Sequence, residues 1–113
     1  MSQHDPVAPL HDMLEYALKA MRFCENKSQD DLERDEVLQL AVVRAVELVG
    51  EAASRVSQKV RSQNPDIPWQ DIIGTRNRLI HGYDRVDLGI VWDTIQDDLP
   101  SLIAILRSTL GEV

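Results

Sequence analysis

Glu36-Val37-Leu38-Gln39-Leu40-Ala41-Val42-Val43-Arg44-Ala45-Val46-Glu47-Leu48-Val49-Gly50-Glu51-Ala52-Ala53-Ser54-Arg55-Val56 is the stretch on which the fold turns. Val37, Leu38, Ala41, Ala45, Leu48, Val49, Ala52 and Val56 fall on one broad arc of a helical wheel. The arc covers about half the wheel, wide enough to contact more than one neighbour. The spacing predicts one long helix from about Asp35 to Val60.

Upstream, Leu10, Met13, Leu14, Ala17, Leu18 and Met21 recur at intervals of three and four, the mark of an amphipathic helix. Asn26 to Ser28 reads as its exit, with Ser28 an N-cap for the next element and Asp30 and Asp31 in that element's first turn. Downstream, Asn64-Pro65-Asp66-Ile67-Pro68 breaks the pattern, and Pro68 is placed to start a new helix. That helix runs from Trp69 to His81, with Gly82 as its stop, and another covers about Leu88 to Gln96. Pro100 either starts a final helix or kinks a continuous one through Leu110.

Strand signals are missing: aromatics are only 4% and no period-2 alternation is sustained. With short connections, the expectation is one all-α domain over residues 1–113, an up-and-down bundle of four to five helices.

The 43% hydrophobic and 27% charged composition is that of a water-soluble globular chain, and no apolar run is long enough to span a bilayer. The first residues show no basic segment followed by an apolar one, and Cys24 has no partner for a disulfide. A cytoplasmic location and no membrane association are expected. The net charge of −7 speaks against a nucleic-acid partner at first sight. Between Arg55 and Arg85, however, six basic residues face three acids, so the acidity lies in the rest of the chain. A soluble acidic protein accounts for the total equally well.

The helix from Trp69 departs from its own pattern. With Trp69 at the origin of the wheel, Ile72, Ile73, Leu79 and Ile80 define an apolar face, and Arg76 lies in the middle of it at about 340°. An unpaired guanidinium there is costly, so Arg76 is either an ion-pair anchor or is presented at a cleft. Glu47 and Glu51 are one candidate set of partners. Their flanking arginines, Arg44 and Arg55, are the favoured alternative, because solvated charge stripes are common. Asn77 and His81 are four apart and share a face, close enough for the amide to orient the imidazole. Tyr83 returns beside Arg76 if the helix continues past Gly82. A fixed cation, a group titrating near neutrality, an amide and a phenol make a set suited to handling phosphate. For a lone arginine and histidine on a helix, surface or ion-pair chemistry is the commoner role.

The segment Arg76-Asn77-x-x-x-His81-x-Tyr83 resembles the signature of HepT-like proteins, a branch of the HEPN superfamily of helical ribonucleases. Further blocks are similar too: Ile67-Pro68-Trp69-x-x-Ile72-Ile73-Gly74, Val86-Asp87-Leu88-x-x-Val91-Trp92, Asp98-Leu99-Pro100 and Glu47-Leu48-Val49-Gly50-Glu51-Ala52-Ala53. The resemblance implies a HEPN-like homodimer whose two motifs meet in one cleft. It implies Arg76 and His81 as the catalytic pair of an endoribonuclease, with Asn77 in support. It also implies Tyr83 as the residue on which a minimal nucleotidyltransferase antitoxin places AMP from ATP, silencing a toxin.

The implied chemistry is attack of a 2′-hydroxyl on the adjacent phosphate. One histidine per chain is short of a base and an acid, and a two-fold axis supplies the second. Trp69, Ile72 and Ile73 are then expected at the dimer seam, and Arg78 and Arg85 are candidates for holding the RNA backbone. No cofactor and no metal are expected: His4, His11 and His81 are scattered, without ligand spacing. Two other readings stand beside this one, a non-catalytic docking subunit for a nucleotidyltransferase and a nucleotide-binding regulator.

Overall fold

The computed structural model describes residues 5–81 and 86–111, residue 81 in its backbone alone. The architecture is the all-helical bundle expected, with no strand among the described residues. Its elements are α1 (Ala8–Phe23), α2 (Gln29–Arg34), α3 (Glu36–Ser54), α4 (Gln58–Gln63), α5 (Trp69–His81), α6 (Leu88–Asp93) and α7 (Leu99–Thr109). A π-helical turn, Thr94–Asp98, joins the last two.

The caps account for most boundaries. Pro9 sits in the first turn of α1, where its missing N–H is no loss. Asn26 follows α1 with φ 61°, a left-handed conformation that asparagine tolerates better than most residues. Ser28 and Asp31 then form a reciprocal capping box: Ser28 Oγ accepts from the Asp31 amide at 3.1 Å, and Asp31 Oδ2 from the Ser28 amide at 2.8 Å. The bond from the Ser28 amide is the main reason the Asp31 carboxyl lies below its ordinary pKa. Asp35 ends α2 and caps α3, accepting from the Leu38 amide at 3.0 Å.

The long helix is shorter than its periodicity suggests. It ends at Ser54, and Ser57 caps the separate α4 by accepting from the Val60 amide at 3.2 Å. The cause is a side chain seven residues beyond the helix end. The Arg61 guanidinium turns back and donates to the carbonyls of Val56, Ala53 and Ser54, at 3.2, 3.2 and 3.4 Å. Carbonyls freed at a helix terminus need such partners. Val56 and Val60 stay on the apolar arc and are buried, so hydrophobicity runs on where the helix does not.

At the other end, the helical path from Leu88 to Thr109 is continuous, and Pro100 is tolerated because the turn before it is widened. The Leu99 amide reaches back five residues to the Thr94 carbonyl.

α3 is the central rod. It packs on α1 and on α5, touches α2 and α6, and α1 also meets α7. Leu10, Met13, Leu32, Val42, Ile67, Val91, Ile95 and Leu106 are fully enclosed, and among the described residues no charged or polar residue is buried whole. No helix is long and apolar enough to cross a membrane, among the described residues.

Candidate functional site

α5 is positioned at its start and along its length. At its start, the Trp69 indole N–H donates to the Asn64 carbonyl at 3.1 Å, and the Arg61 guanidinium lies over the indole ring, 5.7 Å from its centre. Asn64 also holds the end of α7, accepting from the Thr109 hydroxyl at 3.0 Å. Along its length, Leu79 is buried while Ile72, Ile73 and Ile80 are half-buried. Trp69, Ile72 and Ile73 pack against the chain's own core. That packing uses residues the sequence assigned to a dimer seam.

Arg76 sits where the wheel puts it, against α3. Its first side-chain carbons press on Gly50: a Cβ added there would collide with the Arg76 Cβ and lie 2.9 Å from its Cγ. The guanidinium Nε is buried and has no hydrogen-bond partner among the described residues. Nη1 donates to the Asn77 amide oxygen at 2.9 Å. Asn77 is therefore engaged with the arginine, whereas its sequence spacing suggested the imidazole.

The ion-pair alternative for Arg76 fails among the described residues. Glu47 is taken by Arg44 at 3.2 Å, as favoured. Arg55 does not neutralise Glu51; it reaches across to Asp12 on α1 at 3.0 Å. Arg76 itself makes no ion pair there. Of the two roles open to it, the ion-pair anchor finds no partner among the described residues.

Arg78 is exposed and donates to the Thr75 hydroxyl at 3.2 Å, leaving most of its donors to solvent. Of the other cations counted as favourable for RNA, Arg61 is occupied with helix-end carbonyls. The His81 side chain, Tyr83, Arg85 and the Gly82 stop lie outside the described residues. Cys24 is buried, and burial pushes its thiol pKa up, which leaves it a poor nucleophile.

Two other surfaces adjoin the helix. A groove lined by Leu40, Val43, Glu47, Leu79, Ile80 and Val86 borders its C-terminal end. Near it on α3, Val37 and Leu40 are 77% and 68% exposed, unusual for aliphatic side chains. On another flank a cavity of about 250 Å³ lies between α3, α5 and the π-turn, with Asp66, Asp71 and Asp98 at its rim. Burial, then the nearby Asp97, Asp71 and Asp93 carboxylates, push the Asp98 pKa up. That crowding of negative charge repels a phosphate, so this cavity is not where a phosphodiester would sit.

Hydrophobic periodicity does not single out Gly50, which lies off the apolar arc read from the sequence and is buried only because α5 packs there. A signal was present only in the helix-propensity cost of glycine in mid-helix.

A family model described as "Ribonuclease HepT-like" matches residues 13–109. A Methanocaldococcus jannaschii protein named "Putative RNase MJ1380" is 32% identical over 102 residues, 90% of this chain and 94% of its own length. One from Thermococcus cleftensis named "Probable ribonuclease HepT" is 35% identical over 80% of this chain and 86% of its own length. No solved structure matches the chain.

Proposed function

This chain belongs to the HepT-like ribonuclease family, and we propose that it is an endoribonuclease toxin that cleaves RNA without a metal and is silenced by AMPylation. The observation that carries the reading is Arg76, a guanidinium held at a helix crossing with its Nε buried and unpaired. A buried donor without an acceptor is costly, and an incoming phosphate oxygen relieves it.

In the proposed reaction the RNA 2′-hydroxyl attacks the adjacent phosphorus. His81 takes its proton, and a second His81 from a partner copy gives one to the departing 5′-oxygen. The products are a 2′,3′-cyclic phosphate and a 5′-hydroxyl. Arg76 stabilises the charge that grows on the phosphorane, and Asn77, bonded to its Nη1, sets the plane of the guanidinium. Arg78 and Arg85 hold the flanking backbone.

The exposed Val37 and Leu40, with the groove beside the end of α5, support a homodimer built on this side of the chain. The proposed regulator is a minimal nucleotidyltransferase. It transfers AMP from ATP to the Tyr83 oxygen and releases pyrophosphate, adding bulk and negative charge where the substrate phosphate binds.

One gel assay on labelled RNA, with chelator present, tests these points together. The purified chain should cut, leaving cyclic-phosphate ends, and His81→Ala should not. Chain co-expressed with its nucleotidyltransferase should be inert and heavier by AMP, and Tyr83→Phe from the same co-expression should be unmodified and active. Equal cutting by His81→Ala would remove the catalytic assignment.

A further inference from the structure

We infer that Gly50 is a positioning residue for the site: by lacking a side chain it lets α3 clamp the stem of Arg76 and aim the guanidinium. This rests on the proposed role of Arg76 at the RNA phosphate.

Three observations carry it. A Cβ at position 50 would collide with the Arg76 Cβ, lie 2.9 Å from its Cγ and 3.1 Å from the Ile72 carbonyl oxygen. None of these atoms is the free end of a flexible chain, so a methyl group cannot be accommodated by a rotamer change. The α3–α5 crossing at this point is therefore at glycine distance. Second, the clamp acts at the root of the arginine, while its Nε is enclosed and unpaired and its Nη1 is tied to Asn77. Stem and head are both fixed before any ligand arrives, which removes the ordering cost a free arginine meets on binding. Third, Gly74 on α5 is different: a Cβ there meets nothing within 4 Å. The requirement for glycine belongs to the place where α3 meets Arg76.

Elsewhere α3 buries alanines and valines, which fill space and favour the helix or the core. Glycine at position 50 gives up both. What it gains is close approach to one side chain, the arginine of the site.

The test compares Gly50→Ala with Gly74→Ala in the full chain, using two readouts. The first is RNA cleavage, kcat and KM measured separately. The second is the ¹⁵N–¹H signal of the arginine Nε–H that disappears in Arg76→Met. Gly50→Ala is expected to lower kcat about a hundredfold, the scale of a misplaced catalytic group. It is also expected to move the Nε–H signal and remove its exchange protection, while Gly74→Ala changes neither. A folded Gly50→Ala with the native Nε–H signal overturns the inference.

Should wild type fail to cut RNA, the ribonuclease reading falls, and the Nε–H signal still decides the role of Gly50. Should Gly50→Ala fail to fold, Gly50→Ala combined with Arg76→Gly removes the Cβ collision. Refolding of the pair supports the clamp. Continued unfolding assigns the obstacle to the Ile72 carbonyl and overturns it.

Discussion

The two long contacts of α3 are built on different terms. Toward α1 the chain offers Leu10, Met13, Leu14, Ala17 and Ala20, all buried, and the seam is tied at the surface by the Arg55–Asp12 ion pair. Toward α5 the crossing holds a glycine and an arginine with a buried nitrogen that finds no hydrogen-bond partner among the described residues. The first contact removes apolar surface from water and leaves no polar group wanting. The second carries an unpaired donor, a cost of about 1–3 kcal/mol that an apolar residue would not incur. One helix thus divides its faces between holding the fold together and holding a charged group ready.

The division can be broken by experiment. Arg76→Met keeps a stem of similar reach and removes the charge. We expect RNA cleavage to fall about 10²–10³-fold, the effect of losing one preorganised transition-state donor, with a melting temperature equal to wild type or above it. A large loss of stability would show that the α5 crossing supports the fold after all. Met13→Ala acts on the other contact: a loss of about 2–5 kcal/mol in chemical denaturation, with kcat per folded molecule unchanged. A changed kcat at constant folded fraction would mean the two faces are coupled.

The smallest effect is expected at Asp98, on the cavity flank that α3 and α5 share with the π-turn. Its pKa is raised in the fold by burial and by neighbouring carboxylates, so the ionised form disfavours folding. The stability its protonated form contributes is complete below the ordinary aspartate range and is lost as pH rises through the raised value. Asp98→Asn should therefore melt above wild type at neutral pH, with the gap closing as the solution is acidified. A gap that is constant with pH would assign the effect to packing.

What could be read in the sequence was local. The N-cap at Ser28, the breaker before Trp69 and the place of Arg76 in an apolar stripe depend on neighbours a few residues away, and each appears in the structure. What escaped depends on contacts between elements. The end of α3 at Ser54 is set by Arg61 folding back on it, while Val56 and Val60 continue the apolar arc unchanged. Arg55 finds Asp12 on α1, which no i,i+4 rule on α3 would supply. The role of Gly50 needs the register of α3 against α5, a property of two helices together. The bond from Arg76 to the adjacent Asn77 is a contact that the spacing rule did not supply, and the one expected four residues away falls on the His81 side chain, outside the described residues.

The π-turn at Thr94–Asp98 bears on how this protein tolerates change in length. Val91, Ile95 and Leu99 are buried at successive intervals of four. On a regular helix each such step drifts by about 40°, and the widened turn absorbs that drift before Pro100. Substituting the exposed Gln96 leaves the phase of the helix untouched. Deleting it would regularise the turn with the buried stripe of α7 still in phase, but would place Pro100 inside a regular helix, where its ring clashes with the carbonyl four residues back. In this stretch the chain can be respelled freely at its exposed positions, and what its one extra letter secures is room for the proline.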